Sequence, residues 1–157
     1  MKLNNHTILV VEDDPNDILL LERAFEKTRL SNPCHIVRDG EEAITYLSGQ
    51  GRFADRGRYP LPGLLLLDLK MPRKTGFEVL GWLRAQPGLR RIPTVVMTSS
   101  NQISDINRAY DLGANSYVVK PGGFDQLLEV VRSLEVHWLT LNEQPEVIVL
   151  EVQAGRG

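Results

Sequence analysis

The chain has 157 residues, 42% of them hydrophobic, with 18 Lys+Arg against 20 Asp+Glu and a net charge of -2. That is the composition of one soluble globular domain, too apolar for a disordered chain and without the basic excess that nucleic acid or an anionic membrane surface demands. No unbroken apolar run is longer than that of Leu64–Leu67, far too short to cross a bilayer, and no apolar stretch with a small-residue cleavage site follows Met1. Cys34 stands alone, which excludes an intramolecular disulfide and fits a reducing cytoplasm. His6, His35 and His137 lie too far apart in sequence for the zinc and haem motifs.

Short apolar runs alternate with helix-period segments. Ile8–Val11 predicts a buried strand. Asp14-Pro15-Asn16-Asp17 then predicts a helix start, with Asp14 as N-cap, Pro15 in the first helical position and Asp17 in the first turn; Ile18, Leu20, Leu21, Ala24 and Phe25 form its apolar stripe. His35–Val37 predicts a second strand and Glu41–Leu47 a second helix, with Ala43, Ile44 and Leu47 inward. Residues 49–62, rich in Gly, Pro and Arg, have the composition of a loop. Leu64–Leu67, apolar at every position, predicts a strand covered on both faces. Thr75-Gly76-Phe77-Glu78 has the spacing of a capping box at the head of a third helix. Pro93–Met97 and Tyr117–Val119 predict two more strands, separated by a helix that starts near Ile103 and stops at Gly113. The last helix carries Phe124, Leu127, Leu128, Val131, Leu134 and Trp138 at i, i+3, i+4, i+7 spacing. Five strands alternating with five helices predict a doubly wound α/β fold with a parallel five-stranded sheet, a flavodoxin-like (βα)5 of order 2-1-3-4-5. Such sheets bind ligands beyond the carboxyl ends of their strands, near the switch point.

At those ends stand Glu12, Asp13 and Asp14 after the first strand, Asp68 after the third, Thr98 after the fourth and Lys120 after the fifth. Two carboxylates about 4 Å apart repel by about 4 kcal/mol at an effective dielectric near 20, so either a pKa rises sharply or a cation sits between them. Oxygen donors without Cys or His favour Mg2+ or Mn2+ over zinc. Asp14 has a local task as a helix cap, whereas Glu12 and Asp13 have none. Asp68 or Thr98 alone would be unremarkable; the combination carries the signal.

That combination resembles the receiver domain of two-component response regulators. The resemblance rests on Ile8-Leu9-Val10-Val11-Glu12-Asp13, Leu66-Leu67-Asp68-Leu69-Lys70-Met71-Pro72 with Gly76, Thr98-Ser99, and Tyr117-Val118-Val119-Lys120-Pro121, and it covers residues 7 to about 139. It implies a receiver domain over residues 1–142, followed by a tail, 143–157. It also implies Asp68 as phosphoryl acceptor, and Mg2+ (or Mn2+) held by Glu12 through water, Asp13, Asp68 and the Lys70 carbonyl. Thr98 would hydrogen-bond the phosphoryl group and Lys120 would pair with it. Tyr117 matches an aromatic that moves inward on activation, and Pro121 a proline whose preceding bond is usually cis. The arginine-rich insert before the third strand, the lack of an output domain, and His137-Trp138-Leu139 resemble small receivers paired with bacterial phytochromes. The implied partner is therefore a histidine kinase, and the face made by the fourth helix, fifth strand and fifth helix is the implied switch surface.

Three other readings weaken against the same residues. An aspartyl phosphatase of the D-x-D type needs a second acid where Lys70 stands. A pseudo-receiver acting as a constitutive docking module would not need every acceptor-site residue. The chain after Leu139 is too short for a helix-turn-helix domain, which argues against direct DNA binding. Lys70 and Ser100 occupy positions that vary in such receivers and set phosphoryl lifetime; a protonated lysine accepts no hydrogen bond from an attacking water, so slow self-dephosphorylation is expected. Pro145–Val152 reads as an extended apolar segment that either lines a partner or second subunit or packs back on its own domain, and Ala154–Gly157 as a disordered end. The fifth helix, with Trp138 near its end, is the other candidate for a homodimer interface.

Overall fold

The structure is a computed structural model and describes residues 6–148. Strands and helices alternate along it: β1 (Thr7–Val11), α1 (Pro15–Lys27), β2 (Cys34–Val37), α2 (Gly40–Ser48), β3 (Pro62–Leu67), α3 (Gly76–Arg84), β4 (Thr94–Thr98), α4 (Ile103–Asp111), β5 (Ser116–Val119) and α5 (Phe124–Val136). The five strands form one parallel sheet in the order β2-β1-β3-β4-β5. β1 and β3 are buried at every residue because both of their faces are covered. Alternate side chains go to opposite layers. Leu9, Val11, Leu65, Leu67 and Val96 pack with Leu47, Leu80, Leu83 and Ala109 of α2, α3 and α4. Ile8, Val10, Leu64, Leu66 and Val95 pack with Leu21, Phe25, Leu128 and Val131 of α1 and α5. Each fully buried Leu or Ile contributes about 1.5–3 kcal/mol of transfer free energy, so these two layers hold the sheet rigid beneath its carboxyl edge.

The helix starts follow local chemistry. Asp14 accepts from the N–H groups of Asn16 (2.8 Å) and Asp17 (3.2 Å) with Pro15 leading the helix, so its helix-cap role is realised. Thr75 and Glu78 close the capping box at α3. Among the described residues no helix is long and apolar enough to cross a membrane.

Two segments differ from the expectation. Residues 49–61 lack regular structure apart from a 3-10 turn at Gly51–Phe53, with β3 already begun at Pro62, yet they are tightly packed. Tyr46, completely buried, donates its hydroxyl to the Pro60 carbonyl (2.9 Å), and its ring meets Phe53 at 4.9 Å and Tyr59 at 5.9 Å. Arg56 donates to the carbonyls of Tyr46 (2.9 Å) and Leu47 (2.8 Å), placing a cation on the open C-terminus of α2, where Gly49 turns the chain at φ +68. The last helix ends at Val136 rather than Trp138 and widens into a π-turn, His137–Leu141, that still buries Leu139. Beyond it the described part of the tail returns to its own domain: Val147 packs against the α2–α3–α4 layer, and the Ile148 N–H donates to the Gly88 carbonyl (3.0 Å). The expectations for residues 149–157, the segment's end at Val152 and Ala154–Gly157 among them, lie outside the described residues.

Candidate functional site

Parallel pairing at the carboxyl edge converges the polar residues that follow each strand. Val11 pairs with Leu67, so Glu12 and Asp68 emerge side by side, and the Asp68 N–H donates to the Val11 carbonyl (3.1 Å). Thr98 pairs with Val119, and the Lys120 N–H donates to the Thr98 carbonyl (2.7 Å). The order β1-β3-β4-β5 then sets acids, hydroxyl and lysine along one crevice.

Asp68 is 8% exposed; one carboxylate oxygen accepts from the Leu69 N–H (2.7 Å) and the other from Lys120 Nζ (3.0 Å). Glu12, 5% exposed, places one oxygen 2.5 Å from Lys120 Nζ and accepts with the other from the Asp14 N–H (3.0 Å). Burial pushes the Glu12 carboxyl up to about 7, against the opposing pull of Lys120 and the Asp14 N–H, with the Asp68 charge adding to the rise. Lys120 is held the other way: burial works against its charge, but Asp17, Glu12 and Asp68 more than offset it and raise its pKa. Asp13 is half-buried, and carboxylate oxygens of Glu12, Asp13 and Asp68 lie within 4.8 Å of one another. One lysine against this many carboxylates leaves a negative site, so both the raised pKa and a cation become favourable. An all-oxygen donor set of this charge fits a hard divalent cation.

On the other side of Asp68 lies Thr98, 1% exposed. Its Oγ1 is the one buried side-chain polar atom among the described residues without a hydrogen-bond partner. Such an atom costs about 1–3 kcal/mol, and a group carrying acceptor oxygens beside Asp68 would satisfy it. Tyr117 is half-buried, and its hydroxyl donates to the Ser100 carbonyl (2.9 Å), tying β5 to the loop after Thr98. Ser100 Oγ donates in turn to Asp105 (2.6 Å) in the first turn of α4.

Lys70 is exposed in the loop after Asp68, and its side chain stays apart from the group knit around Lys120. That loop is fixed at both ends of its turn. A Cβ on Gly76 would lie 2.1 Å from the Asp68 carbonyl oxygen, so only glycine fits where α3 starts. Arg73, at φ +64, forks onto the buried Asp39 carboxylate, which also caps α2 through the Glu42 N–H (2.7 Å). Pro121 departs from the expectation. No peptide bond among the described residues is cis, and the Lys120–Pro121 bond takes the trans form, which even an X-Pro bond favours by about 0.5–1 kcal/mol.

The sequence reading missed one member of the constellation. Asp17, assigned there only to the first turn of α1, places its carboxylate 2.7 Å from Lys120 Nζ.

The comparisons with known proteins agree with this architecture. The family model described as "Response regulator receiver domain" matches residues 8–132. A relative in Methanothrix harundinacea, a probable methanogenesis regulatory protein FilR2, is 38% identical over 138 residues, 88% of this chain and 86% of the relative. Response regulator Rcp1 of Synechocystis is 36% identical over 132 residues, 84% of this chain and 88% of Rcp1. Its Mn2+-bound crystal structure superimposes with a TM-score of 0.80 at 35% identity, covering 89% and 99% of the two chains. The phosphorylated cyanobacterial phytochrome response regulator RcpA superimposes with a TM-score of 0.83 at 37% identity, covering 90% of this chain and 99% of RcpA.

Proposed function

The chain belongs to the response regulator receiver domain family, and on that premise we propose that it takes a phosphoryl group from a histidine kinase onto Asp68 and changes its α4–β5–α5 surface in response. The observation that carries this reading is the orphaned Thr98 Oγ1 at the end of β4, the strand beside that of Asp68, in the crevice that holds the Glu12–Asp13–Asp68 acids and Lys120. It is a site supplied with charge on one side and lacking an acceptor on the other.

In the transfer, a carboxylate oxygen of Asp68 attacks phosphorus, the P–N bond to the kinase histidine breaks, and its electron pair returns to the imidazole. The product is an acyl phosphate with a charge of ≈ -1.5 to -2. Positioning and charge neutralisation dominate such chemistry. Asp68 is oriented by the Leu69 N–H, and Lys120 supplies a cation at 3.0 Å from it. Glu12, Asp13, Asp68 and the Lys70 carbonyl would hold Mg2+ or Mn2+, which when bound supplies further neutralisation of the phosphoryl oxygens. The Mn2+-bound form of Rcp1 supports this choice of ion. Thr98 would donate its hydroxyl to the new group. Its inward pull would open space for Tyr117 and reshape a face on which Ile103, Tyr110 and Val119 are exposed, with Ile103 at 69%.

Similarity to Rcp1 and RcpA supports a phytochrome as the kinase and a cytoplasmic setting. The exposed apolar side chains of α4 and β5, with Val136 at the end of α5 and Leu141 in the π-turn beyond it, support a homodimer as one reader of the switch. Lys70 stands where a D-x-D phosphatase needs its second acid, which supports an acceptor that turns over no external ester. Titration of the wild-type chain with Mg2+ and beryllofluoride tests the reading: saturable, Mg2+-dependent binding is expected, and no binding contradicts it.

A further inference from the structure

We propose that Asp17 is a positioning residue for Lys120, a competing anchor that sets how readily the lysine is released to a phosphoryl group. The inference rests on the phosphoacceptor reading above. An ammonium has three N–H donors. Around Lys120 Nζ stand three carboxylates, Glu12 at 2.5 Å, Asp17 at 2.7 Å and Asp68 at 3.0 Å, so each donor has an anionic partner. An arriving phosphoryl oxygen must draw the ammonium away from some of them.

The three differ in what they hold besides. Glu12 is buried and also bonded to the Asp14 N–H. Asp68 is buried, anchored by the Leu69 N–H, and itself becomes the acyl phosphate. Asp17 has a side chain 38% exposed and sits in the first turn of α1, where water and the helix N-terminus stabilise a released carboxylate. Its contact is therefore the one that the resting site can give up, and it draws Lys120 away from the place where phosphoryl charge develops.

Neutralising Asp17 then has two effects of opposite sign. Lys120 pairs more fully with a phosphoryl group, and one like charge near that group disappears. Without its outer anchor, Lys120 also settles on Glu12 and Asp68, the carboxylates a divalent cation needs. In Asp17→Asn, beryllofluoride at saturating Mg2+ is expected to bind about threefold tighter, while Mg2+ alone binds about threefold weaker, each read by tryptophan fluorescence. Asp17→Glu, which keeps the charge, should move both affinities back toward wild type. Asp125→Asn, the same charge change in the first turn of α5, should leave both near wild type. Damage to the fold would weaken both ligands together. Parallel shifts, no shift, or equal shifts in Asp125→Asn overturn the proposal. Absence of both ligands from the wild-type chain would instead refute the phosphoacceptor reading beneath it.

Discussion

The two sides of Asp68 are built on opposite principles. Around the Lys120 ammonium Glu12, Asp17 and Asp68 are all engaged, with Lys120 shared among them and with backbone N–H groups on Glu12 and Asp68. Toward β4, the buried Thr98 hydroxyl has no partner, and Tyr117 is tied to the Ser100 carbonyl rather than to the site. The difference indicates a division of labour. On the proposed reading, the acidic side stores the charge that chemistry needs, and the hydroxyl side leaves unmade the bond that would report the product.

The sharpest break of this contrast removes the residue between the two sides. Asp68→Asn should abolish labelling by a kinase while circular dichroism and melting temperature stay near wild type; labelling of the variant at the wild-type level would refute the assignment. Next comes Thr98→Val, which deletes the orphan hydroxyl at almost constant volume. It should weaken beryllofluoride binding about tenfold, since a hydrogen bond to a charged group is lost, yet leave the melting temperature no lower, because the resting protein loses only an unsatisfied group. A lower melting temperature with unchanged binding would place Thr98 in the core rather than the switch.

On the acidic side, pH provides a similar test. Glu12 titrates near 7 in the fold against 4.5 for its ordinary value, because burial disfavours its charge. Between these values the metal-free fold binds a proton that the unfolded chain releases, so the stability Glu12 contributes is full below about pH 4.5 and is lost as the pH rises to about 7. A divalent cation must displace that proton, so Mg2+ affinity should be about tenfold weaker at pH 6 than at pH 8. A flat profile would remove Glu12 from the metal set. The smallest expected effect is on lifetime. Lys70→Asn, which restores an acceptor for the attacking water, should shorten the acyl phosphate half-life by a few-fold, and an unchanged half-life would separate Lys70 from that control.

The unequal legibility of the site has a physical basis. Glu12, Asp13, Asp68, Thr98 and Lys120 were readable because each stands at or just beyond the end of an apolar run that forms a strand, and parallel α/β sheets gather chemistry at those ends. Asp17 was not, since its local task in the first turn of α1 explains it fully and its partner Lys120 arrives only when β5 joins the sheet. The insert at 49–62 read as a loop by composition, but the packing of Phe53 and Tyr59 on Tyr46 and the grip of Arg56 on the end of α2 are tertiary facts with no periodic signal. Trp138 continued the helical period in sequence, yet the chain widens at His137 and buries Leu139 instead. At Pro121 the family expectation of a cis bond did not transfer to this chain.

The most direct measurement is chemical mapping of the modified residue. After transfer from a phosphorylated histidine kinase in Mg2+, borohydride reduction converts an aspartyl phosphate to homoserine, which mass spectrometry locates. The account predicts homoserine at position 68 alone and none when Mg2+ is chelated. Homoserine at Asp13 or another acid, or its absence from position 68 in a chain that has taken up label, would contradict it.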